Sequence, residues 1–233
     1  MILSAHQSHY LPWLGYLDKI DRSDVFIILD DVQYEKNGWQ NRNRIRTSRG
    51  WQWMTVPVHA HLSDRLRDVR ISGEVSWQKD HSKSLELNYH KTAHFQFLWE
   101  LLEAVYQKNR TSLVDLNLAA LEAVLEAIGI KKRETVFSSA IGLQSEATQR
   151  LVDLCRHFKA DTYLSGDGAH AYMDMSLFEK AGIRVEFQNF SHPVYKQLQA
   201  DEGNFVEALS AVDLIFNHGK EGLGILRAAH QKK

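Results

Sequence analysis

A chain of 233 residues in which 28 Lys and Arg oppose 29 Asp and Glu carries a formal charge of −1, which excludes the broad basic surface of a general nucleic-acid binder. At 44% hydrophobic and 24% charged residues, the composition is that of an ordinary folded protein and excludes long disorder. The longest uninterrupted apolar run, Val25 to Leu29, is too short for a bilayer span, and Met1 leads directly into a strand-like segment, so a cytoplasmic protein is expected.

The chain opens with a strand at Ile2 to Ala5, a helix from about Leu11 to Arg22 with Pro12 in its first turn, and a strand at Val25 to Leu29. Such a strand-helix-strand unit makes the two strands parallel. From Trp39 to Val58 the pattern alternates with a period of two, as in a hairpin turned at Ser48-Arg49-Gly50. Two amphipathic helices are expected between Phe95 and Ile128, within a helical subregion spanning 95–130, and Gly129 stops the second. The last third alternates strand Thr135 to Phe137, helix Glu146 to Phe158, strand Thr162 to Leu164, helix Ala169 to Lys180 and strand Arg184 to Phe187. Within the Glu146 to Phe158 helix, the single cysteine, Cys155, falls among Leu151, Leu154 and Phe158 and reads as a buried thiol. The fold class is α/β: a mainly parallel sheet covered by helices, with an inserted antiparallel hairpin and a helical segment, in one domain over 1–233.

In an open parallel sheet all strand carboxyl ends share one edge, and ligands bind there. After the first strand come His6, Gln7, Ser8, His9 and Tyr10; after the second, Asp30, Asp31 and Gln33; after the third, Ser138 and Ser139. After the fourth come Ser165, Gly166, Asp167, Gly168 and His170, and after the fifth Gln188, Asn189 and His192. One edge therefore collects most of the reactive groups. The two glycines of Ser165-Gly166-Asp167-Gly168 allow a close backbone approach to an anion, although a plain capped turn explains the same letters. Strand alternation points adjacent Asp30 and Asp31 to opposite faces, so at most one meets a shared ligand unless the strand has already ended; that carboxylate could hold magnesium, accept a hydroxyl proton or bind a ribose hydroxyl, and solvated or capping aspartates are the alternative. His6 and His9 lack a third ligand for zinc, and hydrogen bonding to a phosphate or carbonyl, with one imidazole as proton donor, is the better use. Strand alternation sets Arg42, Arg44 and Arg46 on one face; their partners are the protein's own carboxylates, solvent or a phosphorylated ligand. Trp39, Trp51 and Trp53 beside them suit either a core or stacking on a base or sugar.

The stretch from His6 to Ile20 (HQSHYLPWLGYLDKI), with Leu29-Asp30-Asp31-Val32-Gln33-Tyr34, Asn41-Arg42-Asn43-Arg44-Ile45, Tyr163-Leu164-Ser165-Gly166 and Asp213-Leu214-Ile215-Phe216-Asn217, resembles the WbqC-like family over nearly the whole chain. The resemblance implies a place in bacterial surface-polysaccharide biosynthesis, notably of O-antigen, and implies pathway without mechanism. Ser8 stands where the family usually has proline, which leaves that turn less rigid. A more distant likeness links His6-Gln7-Ser8-His9 to the His-x-Gly-His loop of nucleotidyltransferases, without its glycine.

These readings converge on a transferase acting on a phosphate-bearing, sugar-nucleotide substrate. His6 donates to the reacting group, and Asp30 or Asp31 orients a hydroxyl or magnesium. Gln7, Tyr10, Trp13, Arg42, Arg44, Ser165, Gly166 and Gly168 bind substrate. The rival is a non-catalytic component of the same pathway that binds nucleotide or glycan; nucleic acid is not an expected partner.

Overall fold

A computed structural model describes residues 1–61, 63–73, 76–131, 135–198 and 204–229. Its elements in chain order begin with β1 (Ile2–His6), α1 (Leu14–Arg22), β2 (Val25–Ile28), β3 (Arg42–Thr47), β4 (Gly50–Thr55), β5 (Val58–His59) and β6 (Arg70–Ile71). Three helices follow, α2 (Trp77–Tyr89), α3 (Phe95–Tyr106) and α4 (Leu113–Ile128). The chain then returns through β7 (Thr135–Phe137), α5 (Ser138–Ile141), α6 (Ala147–Phe158), β8 (Thr162–Ser165), α7 (Met175–Lys180) and β9 (Arg184–Phe187). Helices α8 (Val212–His218) and α9 (Gly222–Ala228) complete it.

Five strands form one wholly parallel sheet in the order β7-β2-β1-β8-β9. The chain runs outward from β1 through β2 to β7, then returns to β1's other side for β8 and β9. The strand order therefore reverses between β1 and β8, which is the feature that opens a crevice at the carboxyl edge of doubly wound sheets.

Alternation along the strands divides the core between two faces. Phe26 and Ile28 pack with Leu14, Leu17 and Ile20 of α1 and with the inserted helices, while Ile27 faces Val152 and Cys155 of α6 and Phe178 of α7. Everything between β2 and β7 is an excursion that covers the α1 face. Its hairpin, β3–β4, turns at Ser48-Arg49 with Thr47 opposite Gly50, and α4 ends on Gly129 at φ +87°, both as the sequence implies.

Two expected helices differ. The first begins at Leu14 because Leu11 adopts φ +43° ahead of Pro12, and Trp13 is extended and bridges to Ser210. The helix expected from Ala169 to Lys180 splits into a short 3-10 helix at Asp167–Ala171 and α7, which is restarted by Asp174 accepting from the Ser176 amide at 3.0 Å. Helix α2 buries Trp77, His81, Leu85, Asn88 and Tyr89; the polar His81 and Asn88 interrupt the apolar stripe that would mark it in the sequence.

Candidate ligand-binding site

The carboxyl ends of β1, β2 and β8 open into one cavity of 1110 Å³. His6, Asp31 and Ser165 all line it, so the expected convergence of strand ends is present. Gln7, Trp13, Gly166 and Gly168 join them. Four of the expected residues lie elsewhere.

Asp30 is buried and accepts from the Ser139 amide at 3.0 Å, the Ser139 hydroxyl at 2.6 Å and the Ser138 hydroxyl at 3.2 Å. It ties β2 to the turn after β7 and is not in the cavity wall. Tyr10 has no exposed surface; its hydroxyl sits between His81 Nδ1 at 2.8 Å and the Tyr106 hydroxyl at 2.6 Å. Arg42 and Arg44 stay on the hairpin, because antiparallel register sets Arg44 opposite Trp53 and Arg46 opposite Trp51. The Arg42 guanidinium lies 4.2 Å from the Trp53 ring centre and donates to the Asn37 carbonyl; that of Arg44 lies 5.0 Å from Trp51 and donates to the Ala208 carbonyl at 3.0 Å. Their partners are indole faces and backbone oxygens, which also accounts for the tryptophans.

Asp31 does reach the cavity. Its carboxylate accepts from Arg150 at 2.5 Å and from the Ser138 hydroxyl at 2.5 Å. Burial opposes its ionisation, but the hydrogen bonds from Arg150 and Ser138 and the Arg150 charge outweigh it and hold the carboxyl below its ordinary 3.8. Asp31 is thus an ionised partner that fixes Arg150. Among the described residues no three His, Cys, Asp or Glu side chains group as a metal site.

At the end of β1, His6 stacks edge-on with His9 and Tyr16 at centroid distances of 4.7 and 5.0 Å. Burial first, then the neighbouring His9 and Lys19, push its pKa well below 6.5, so the ring is neutral at pH 7. Its Nδ1 lies 3.1 Å from the Gln7 carbonyl oxygen, which can only accept; the hydrogen is therefore on Nδ1 and Nε2 is left as an acceptor. The sequence assigned His6 a donor role toward the reacting group; in the fold its Nδ1–H is taken by Gln7, and the ring atom left open is the Nε2 acceptor. Burial, then Lys19, pulls His9 down to about 3, so His9 is neutral as well.

Among the cavity residues not singled out in the sequence are Tyr16 and Lys19 of α1, Arg150 of α6, and Arg65 and Tyr172. The strand-end inventory counted only loops. At this edge helices also begin, and the inward side of their first turns belongs to the same wall. Tyr16 and Lys19, three apart in α1, share a helix face, which was the available signal. Tyr16 is 2% exposed and its hydroxyl has no partner; burial pushes its phenol up, so it remains a donor. Lys19 is 5% exposed, and burial lowers it from 10.5 to about 8 against a smaller upward pull from Asp167.

A doubly wound sheet with a ligand-sized crevice at its reversal point defines the class of protein, and comparison with other chains supplies the family. Residues 7–225 match the WbqC-like protein family. The uncharacterized protein Rv1507c of Mycobacterium tuberculosis (strain ATCC 25618 / H37Rv) is 40% identical over 228 residues, covering 97% of each chain. No solved structure gives a significant match. The chain belongs to the WbqC-like family, whose membership suggests a polysaccharide-related role. No helix among the described residues is long and apolar enough to cross a membrane.

Proposed function

We propose that this chain is a cytoplasmic enzyme of bacterial surface-polysaccharide biosynthesis, including O-antigen, that transfers a group to or from a sugar nucleotide held in the cavity between β1 and β8. The observation that carries the reading is the position of the cavity at the reversal of strand order, the place where doubly wound sheets take nucleotide-like ligands. Its 1110 Å³ lies just above the usual range of small-molecule sites, about 300–1,000 Å³, and suits a nucleotide joined to a sugar better than a free monosaccharide.

His6 accepts the proton of the attacking hydroxyl or amine through Nε2, a role consistent with its neutral state. Asp31 orients Arg150 toward the bound substrate, and Trp13 and Tyr172, the latter 77% exposed, flank the ring systems. The Ser165–Gly168 turn approaches the ligand through its backbone.

The test incubates the protein with sugar nucleotides, nucleoside triphosphates and acyl and amino donors, and follows products by mass spectrometry. Turnover is expected, with His6→Gln lowering kcat far more than it raises KM, and Arg42→Ala leaving both within about twofold because its contacts, the Trp53 ring and the Asn37 carbonyl, lie outside the cavity wall. Ligand-induced shifts in melting without any product would instead establish a non-catalytic component of the pathway. An Arg42→Ala variant that lost ligand affinity would refute the placement of the site.

A further inference from the structure

We propose that Lys19 and Tyr16 of α1, facing Gly166 of the turn after β8, form the seat for the diphosphate of the ligand. This inference rests on the sugar-nucleotide reading above and adds where in the cavity the charged group lies, and which side chain neutralises it.

Five observations converge. Lys19 is 5% exposed and lines the cavity, yet among the described residues it makes no ion pair. An ammonium removed from water without a counter-ion is unfavourable unless an anion takes its place. Asp167, whose charge opposes part of the effect of burial on Lys19, makes no ion pair with it among the described residues: its carboxylate accepts from the amides of Asn189 at 2.7 Å and Phe190 at 3.2 Å.

One turn back on the same helix face, Tyr16 holds a buried hydroxyl with no partner, a second donor with nothing to donate to. Opposite them Gly166 leaves the space open: a Cβ built there would lie 3.7 Å from Lys19 Nζ. With φ −73° and ψ 152° its backbone would admit other residues, so the absence of a side chain serves access rather than conformation. The first turn of α1 borders the same space through Trp13 and Gly15, adding the positive end of a nine-residue helix.

Of the other charged or titratable groups in the wall, Asp31 is paired with Arg150 and His6 carries no charge at pH 7, while Glu146 and the exposed Arg65 line the same cavity; Lys19 is the buried cation that faces Gly166. An ammonium with three donors, a phenol and a helix N-terminus match a group with several acceptor oxygens in three dimensions, as a diphosphate has.

The test is isothermal titration of the full chain at pH 7 with UDP, ADP, GDP and CDP, with pyrophosphate, with the four uncharged nucleosides, and with the UDP-, ADP-, GDP- and CDP-sugars. At least one diphosphate should bind about tenfold or more tightly than its nucleoside, and Lys19→Met should remove that difference while nucleoside affinity is unchanged. Gly166→Ala, which sets a methyl group against the ammonium and leaves Lys19 itself in place, should weaken the diphosphate several-fold and serves if Lys19→Met does not fold. If wild-type protein binds a sugar nucleotide and both soluble variants bind it equally well, the seat is elsewhere and the proposed function stands. If wild-type protein binds no probe at all, the sugar-nucleotide reading fails and this inference fails with it.

Discussion

Replacing Lys19 by methionine should make the protein more stable, and the size of the effect can be worked from the site. The folded lysine titrates near 8 instead of 10.5, because burial disfavours its charged form. At 1.36 kcal/mol per decade of acidity, carrying the charged side chain costs the fold about 3 kcal/mol at pH 7. Methionine is nearly the same length, needs no solvation and fits an apolar helix flank. The sign with pH follows from proton counting. Between about pH 8 and 10.5 the unfolded chain holds the Lys19 proton and the folded chain does not, so wild-type stability attributable to this residue rises through that window. The advantage of Lys19→Met should therefore be about 3 kcal/mol at pH 7 and shrink below about 1 kcal/mol at pH 10. Urea unfolding of both proteins at the two pH values measures it, and taking the difference cancels the buried tyrosines, which titrate alike in both. A variant no more stable than wild type at pH 7, or an advantage that persists undiminished at pH 10, would show that the ammonium already has a partner. The premise of an unsatisfied cation would then be lost.

Two further outcomes are expected. Asp31 has a depressed folded pKa, so its contribution is present above the ordinary carboxylate value of 3.8 and is lost as pH falls through the folded value. Asp31→Asn should thus cost about 1–3 kcal/mol at neutral pH, and the gap to wild type should close in acid; urea midpoints measured from pH 7 downward check it. Gly15→Ala sets helix propensity against space: alanine gains about 1 kcal/mol over glycine in a helix, but its Cβ would lie 2.3 Å from the Trp13 ring and drive the indole aside. Stability should change by less than about 1 kcal/mol while nucleoside diphosphate affinity falls, since the displaced ring is cavity wall; unchanged affinity in a titration would count against Trp13 as a ligand contact.

Much of this architecture is legible in the residues. Short apolar runs separated by helical periods imply a parallel sheet, and a parallel sheet places strand-end residues together, which brings His6, Asp31 and Ser165 to one cavity. What the pattern does not carry is the identity of long-range partners. Arg42 and Arg44 read as an anion-binding row when the strand is considered by itself; the folded hairpin gives each guanidinium an indole neighbour and a backbone carbonyl to donate to, while the Nε of each stays buried without a partner among the described residues. The chemistry of His6 also depends on tertiary burial, which no local pattern encodes: beside His9, Tyr16 and Lys19 the ring is held neutral, with Nδ1–H committed to the Gln7 carbonyl and Nε2 left as the acceptor. Lys19 escaped notice for the converse reason, since lysine in a helix ordinarily reaches solvent.

The anchoring of α1 bears on how the site works. Leu14, Leu17 and Ile20 pack into the core while Tyr16 and Lys19 face the cavity, so all residues from Leu14 to Ile20 are buried. Its remaining polar group, Asp18, is held across the sheet edge: Gln188 Nε2 donates to the Asp18 carboxylate at 2.8 Å and to the Gly15 carbonyl at 2.6 Å. The far end is closed by Ser23, whose hydroxyl donates to the Lys19 carbonyl at 2.6 Å and lies 2.5 Å from that of Ser4 in β1. A helix fixed at both ends and along its length cannot swing to meet a ligand, so Tyr16 and Lys19 are positioned before binding. Unsatisfied donors that are already in place lower the reorganisation needed to receive an anion. The instability expected of Lys19 and the affinity expected of it thus have one physical origin.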